Sequence, residues 1–158
     1  MKILPCLAVT QAVFASTSAY ACSCRDVPRT IEQHVDQSDV IFLGRAVGVH
    51  RVVIWSEGFE TYHSTRFLIR EALKGIDSDA ATDAPQYVYV RHPGGDPAAC
   101  GVSFDNGVEY RIFANLYKDK IYTSLCSFST NAADPDNAPW EDYRRAAGMA
   151  DALAKEQP

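Results

Sequence analysis

Asp39-Val40-Ile41-Phe42-Leu43-Gly44-Arg45-Ala46-Val47-Gly48-Val49-His50-Arg51-Val52-Val53-Ile54-Trp55 is the stretch on which the fold turns. It is dense in Val, Ile and Phe, which favour pleated backbone, and it is interrupted by Gly44 and Gly48. That combination predicts one long, bent strand of the kind a barrel corner needs. Ser56-Glu57-Gly58 supplies a turn, and Thr61 to Leu73 a returning strand that stops at Lys74-Gly75. Asp77 to Pro85 is small, acidic and poor in strand formers, and Gln86 to His92 alternates again. Pro93-Gly94-Gly95-Asp96-Pro97 forces an irregular connection. Further strands are expected near Cys100 to Phe104, Glu109 to Tyr117 and Lys120 to Cys126, with Asp105-Asn106-Gly107 and Lys118-Asp119 as hairpin turns.

Five or six mostly antiparallel strands without alternating helices predict a closed or partly open barrel in a mainly β domain. Two helices flank it. Thr30 to Gln37 places Ile31 and Val35 four residues apart on one face, with Pro28 near its start. Pro139 to Ala154 carries Trp140, Tyr143, Ala147, Ala150 and Leu153 at three- and four-residue spacings, a stripe suited to packing on the barrel. Nothing in the composition asks for a second domain.

The chain has 158 residues, 47% hydrophobic and 22% charged, with a net charge of −5. This balance excludes a disordered or collagen-like chain. An acidic body repels phosphates, so nucleic acid is not an expected partner. The longest apolar run, Ile3 to Ala15, contains Pro5, Thr10 and Gln11 and falls short of the roughly 20 residues a bilayer span requires, so stable membrane insertion is not expected. Instead Met1 to Ala21 has the layout of a secretory signal peptide: Lys2, the apolar stretch, then small residues ending in Ala19-Tyr20-Ala21. Cleavage after Ala21 makes Cys22 the new N-terminus of a secreted or periplasmic domain spanning residues 22–158. Ser18 and Ala19 offer weaker sites, and lipidation of Cys22 is the competing outcome.

Processing removes Cys6 and leaves Cys22, Cys24, Cys100 and Cys126. In an oxidising compartment four cysteines form two disulfides, with three possible connectivities. Pairing Cys22 with Cys24 closes a strained three-residue loop, which leaves two. A zinc site is the weaker reading, because C-x-C with two isolated cysteines lacks the paired knuckles of structural sites. His34, His50, His63 and His92 show no ligand spacing and are expected as scattered surface histidines. Asp77, Asp79 and Asp83 lack the glycine and terminal glutamate of a calcium loop. Ser127 and Ser129 sit in no G-x-S-x-G turn, and C-S-C is not a redox C-x-x-C. No enzyme and no resident cofactor are expected.

In order, the chain presents Cys22-Ser23-Cys24, Ser38-Asp39-Val40 entering the first strand, and Lys74-Gly75 ending the second. Cys100-Gly101-Val102-Ser103, Cys126-Ser127-Phe128 and Pro139-Trp140 follow. This series resembles the inhibitory N-terminal domain of the tissue inhibitors of metalloproteinases, within the netrin-like modules, over nearly all of residues 22–154. The resemblance implies an oligonucleotide/oligosaccharide-binding (OB) type Greek-key barrel, pairing of Cys22 with Cys100 and of Cys24 with Cys126, and a zinc metalloprotease as protein partner of a monomer. It also marks departures. Animal members carry a third bridge and a second domain, whereas here Asp36 falls where the helix-side cysteine would stand.

The function implied has a physical basis at Cys22. A catalytic zinc keeps one position open for its nucleophilic water. A neutral N-terminal amine and its own carbonyl oxygen close a five-membered ring on the metal and displace that water, and an α-amine pKa of about 7.7–8.0 makes the neutral form accessible. Bridges at residues 22 and 24 would remove the fraying that weakens an ordinary terminus. The only metal involved is the target's zinc, contacted in trans. Ser23 would enter the specificity pocket, with Trp55, Phe59 and Tyr62 at the hairpin tip and Ala98 and Ala99 beside Cys100 as further contacts. The competing expectation is a non-inhibitory netrin-like module that binds a protein or glycan, with structural disulfides, indifferent to N-terminal extension and sensitive to changes at Trp55, Phe59 or Tyr62; apart from either, Trp55 and Phe59 could simply pack under the hairpin.

Overall fold

The computed structural model describes residue 24 and residues 30–56, 58–77, 84–94 and 101–156. The elements are α1 (Ile31–Gln37), β1 (Val40–Ser56), β2 (Gly58–Lys74), β3 (Tyr87–Pro93), β4 (Glu109–Tyr117), β5 (Lys120–Tyr122), a 3-10 turn at Leu125–Ser127, β6 (Thr130–Asn131) and α2 (Trp140–Glu156). Pairing runs β1-β2-β3-β5-β4, and β4 returns to β1, closing a five-stranded OB-type Greek-key barrel with β6 outside it on β4. The β3–β5 contact, Val90↔Ile121 and Arg91↔Tyr122, is parallel, whereas the other pairings are antiparallel.

The bent first strand is present. β1 pairs with β2 along its length, with register shifts between Leu43 and Gly44 and between Ala46 and Gly48, beside the two glycines. Only Val40 to Arg45 also pair with β4, so the strand serves the barrel with its first third and turns away afterwards. Gly75 ends β2 with φ +69°, where a Cβ would lie 2.1 Å from the Asp39 carbonyl oxygen. Only glycine fits that crossing. Lys118 and Asp119 both have positive φ, 47° and 59°, as a tight right-twisting hairpin turn demands.

Two apolar clusters share the wall made by β1 and β4. Val40, Phe42, Ala46, Phe67, Val90, Phe104, Tyr110, Ile112 and Ala114 fill the barrel. On the outside of the same wall, Ile41 and Phe113 pack with Val35 of α1 and with Tyr143, Ala146 and Ala147 of α2. The stripe of α2 therefore meets the barrel through Trp140, Tyr143 and Ala147; the side chains of Ala150 and Leu153 lie outside the described residues. α1 begins at Thr30, whose hydroxyl accepts from Gln33 N at 3.3 Å. Glu71 of β2 accepts from Trp140 Nε1 at 3.0 Å and from the Arg144 guanidinium, tying α2 to the sheet.

Three sequence expectations need correction. Residues 101–104 are irregular rather than a strand. Phe104 instead enters the barrel, ring against Phe67, His92 and Tyr110 at 5.1, 4.9 and 4.9 Å, while the Tyr110 hydroxyl accepts from Asp105 N. The strand expected over Lys120 to Cys126 stops at Tyr122, because Ser124 caps a 3-10 turn through a reciprocal capping box with Ser127. Finally, His92 is not a surface histidine: it is 1% exposed, on the inward side of β3 with Val90.

Candidate functional site

The rim of the barrel after β5 is fixed by a run of small polar side chains. Thr123 donates its hydroxyl to the Phe113 carbonyl at 2.9 Å, and Ser129 bonds the same carbonyl and the Phe113 N–H at 3.1 and 3.0 Å. These bonds anchor both ends of the segment holding the 3-10 turn to β4. Cys126 is the middle residue of that turn, with its N–H on the Ser124 hydroxyl at 3.3 Å. Cys24 is bonded to it, Cα to Cα 5.4 Å, across 102 residues of chain. Cys24 is thus stapled to a turn whose flanks are hydrogen-bonded to β4.

Phe128, directly after the turn, has φ 62°, a left-handed conformation that costs a bulky residue about 1–3 kcal/mol. Its ring meets that of His34 edge-on at 4.7 Å. His34 also contacts Phe113 at 5.6 Å, and this burial pulls its pKa below the usual histidine value, favouring the neutral ring. Next to the disulfide, α1 contributes His34 and Gln37, β4 contributes Asn115, and the turn contributes Ser124 and Ser127 to the lining of a cavity of 170 Å³.

Of the sequence-derived site residues, Cys24 and Cys126 are brought together in the pairing the resemblance implied. Cys22, Ser23, Ala98, Ala99 and Cys100 lie outside the described residues, as does the segment read as a signal peptide. Trp55 and Phe59 are register partners at the end of the β1–β2 hairpin, beyond the reach of β3, which pairs with β2 only from Tyr62 to Leu68. Their side chains lie outside the described part. Tyr62 sits lower, on the barrel, with its ring 5.8 Å from that of Tyr122. It therefore belongs to the barrel wall rather than to the hairpin tip.

A second polar feature sits inside the barrel. The His92 Nδ1–H donates to the Pro93 carbonyl at 3.2 Å, which leaves Nε2 to accept from the Thr65 hydroxyl at 2.8 Å. Burial lowers its pKa and so favours the neutral ring, in which this pairing can form. Among the described residues no three histidine, cysteine or carboxylate side chains gather closely enough to hold a metal ion. No described helix is long and apolar enough to cross a membrane.

Sequence reading missed the capped turn around Cys126, although Ser124 and Ser127 at capping-box spacing carried the signal. It also missed the outward row of β3. The alternation of Tyr87, Tyr89 and Arg91 with Val88, Val90 and His92 carries the signal for that face. No protein-family model matches the chain, and no curated protein sequence matches it.

Proposed function

We propose that the mature protein is an exported inhibitor of zinc metalloproteases, whose Cys22 α-amine and carbonyl oxygen chelate the target's catalytic zinc while Ser23 occupies the adjoining specificity pocket. The observation that carries the reading is the Cys24–Cys126 staple on an OB-type barrel. A residue bonded to a rigid rim turn two positions after a free terminus gives that terminus little room to fray, and pre-organisation of this kind converts a weak bidentate ligand into a strong one. A disulfide from Cys22 to Cys100 completes the clamp in this proposal. Export follows from the signal-like first 21 residues and fits a chain that keeps a disulfide.

The test joins intact mass and N-terminal sequencing of the exported protein to inhibition assays against a panel of zinc metalloproteases. The reading expects a start at Cys22, two disulfides and inhibition. A start at Ala19 or Tyr20, or a lipid on Cys22, contradicts it. The second reading, a netrin-like binding module with purely structural disulfides, is favoured by the place of Tyr62 in an aromatic wall. It expects no inhibition and sensitivity to substitution on that wall.

A further inference from the structure

Among the buried side chains of the barrel, His92 of β3 and Thr65 of β2 form a polar pair, 1% and 0% exposed. The pair has one proton arrangement. Because Nδ1–H donates to the Pro93 carbonyl, Nε2 is bare and accepts from the Thr65 hydroxyl. The same ring touches both ends of the connection that leads away from β3. Backbone bonds to Pro93, before that connection, and to Val102, after it, favour a charged ring, and burial outweighs them. The Phe104 ring stands perpendicular to the imidazole at 4.9 Å.

Residues 101–105 belong to no strand, so a few side-chain contacts must hold them. They include the bond between His92 and Val102, the packing of Phe104 on Phe67, His92 and Tyr110, and the Tyr110 hydroxyl that accepts from Asp105 N at 2.9 Å. His92 is thus part of the attachment, and it is a group with two states. Protonating Nε2 sets an N–H against the Thr65 O–H. The hydroxyl must then turn to accept, and its proton gives up the acceptor it had in a place water does not reach.

The surroundings offer the new charge no partner. Facing the ring are His63 of β2, its register partner with ring centroids 5.7 Å apart, and, across Phe104, Tyr110 of β4 and Asp105. His63 repels a charge on His92. Arg51 of β1 is the register partner of His63. Arg91 is turned to Tyr122, with Tyr62 beside it, on the other face of β3. No carboxylate among the described residues bonds the imidazole.

We propose that His92 is an acid-sensitive buckle: neutral, it fastens residues 101–105 and the end of β3 inside the barrel, and protonation at Nε2 releases that segment while the wall of β1 and β4 stays folded. Because burial disfavours the charged ring, the fastened form keeps its full advantage above pH 6.5 and loses it as pH falls. One consequence rests on the inhibitor reading. The connection between Gly94 and Gly101 contains Cys100, in that reading the partner of Cys22, so release slackens the zinc-binding terminus in acid.

The experiment is hydrogen exchange of the full exported chain by NMR at pH 7.5 and 5.0, corrected for intrinsic rates, with and without urea below the unfolding transition. Protection of the Asp105 amide should fall by more than ~10-fold and at pH 5.0 should hardly depend on urea, while residues 110–114 exchange more slowly and with the urea slope of whole-chain unfolding. His92→Gln keeps polar atoms but cannot titrate, and should abolish the fall. His63→Gln removes the repelling charge from a less buried position and should shrink the fall by ~2–3-fold. A fall below ~2-fold, an Asp105 amide that shares the protection and urea slope of residues 110–114 at pH 5.0, or an undiminished fall in either variant overturns the proposal. If His92→Gln does not fold, His63→Gln decides alone. No protease enters the measurement, so a lack of inhibition would strike the inhibitor reading and leave the buckle standing.

Discussion

The barrel has two kinds of wall. The start of β1 and residues Tyr110 to Ala114 of β4 are buried on both sides, by the barrel interior and by α1 and α2. β4 accordingly shows five consecutive buried residues from Tyr110 to Ala114 rather than alternation. β3 alternates, with Val90 and His92 inward and Tyr87 and Tyr89 in solvent. The helix-covered wall spends its side chains on cohesion, whereas the open wall displays polar and aromatic chemistry over a single apolar face. Residues on the first wall should therefore govern stability, and outward residues of the second should be almost silent in stability and audible only in binding.

The largest effect sharpens this contrast from outside either wall. Replacing Cys24 and Cys126 together by serine opens a loop of about 100 residues, worth about 4.7 kcal/mol on the chain-entropy view, and should lower the denaturant midpoint while the slope rises, because the denatured chain expands. Phe113→Ala, in the doubly buried strand and touching His34 and Tyr143, should cost roughly 3–5 kcal/mol in chemical denaturation. A loss below ~1 kcal/mol there would break the comparison.

Protonation comes next. His92 and His34 are held below the usual histidine pKa by burial, so the unfolded chain binds more protons than the folded one below pH 6.5. Stability is then full above that pH and declines as pH falls towards the folded values, by at most about 1.36 kcal/mol per pH unit for each histidine. Urea midpoints measured between pH 7.5 and 5 should show the decline, and His92→Gln should flatten part of it. Glu71, held low chiefly by hydrogen bonds from Arg144, adds a second loss only at more acid pH, as it protonates. The smallest effect is Tyr89→Ala, expected within ~0.5 kcal/mol of the parent on the open wall. An equally large loss at Tyr89 and Phe113 would abolish the distinction between the walls.

Much of this architecture was legible because the strands announce themselves locally. The β-branched run of β1 with its two glycines, the Lys74-Gly75 stop and the Lys118-Asp119 turn each follow from neighbouring residues. The errors fell where distant partners decide. Val102 and Phe104 alternate like strand residues, but Phe104 finds its place among Phe67, His92 and Tyr110, which lie far away in sequence or on the opposite wall. The parallel β3–β5 contact rests on two residue pairs, too few for any periodicity to reveal. At the site, cysteine counting alone left two connectivities open, and the implied Cys24–Cys126 bond is present in the structure. The Ser124 and Ser127 spacing announces the capped turn locally, but its anchoring depends on the Thr123 and Ser129 hydroxyls reaching across to Phe113 of β4, which no local pattern announces.

The central proposal is coordination of another protein's zinc by the Cys22 terminus. Its most direct test uses a metalloprotease from the inhibited panel with cobalt(II) in place of zinc, whose visible spectrum reports its ligands. Mature protein should both inhibit the enzyme and change the cobalt spectrum. A variant with one additional alanine before Cys22, equally folded by circular dichroism, should do neither. Equal inhibition by both forms with an unchanged cobalt spectrum would contradict the account.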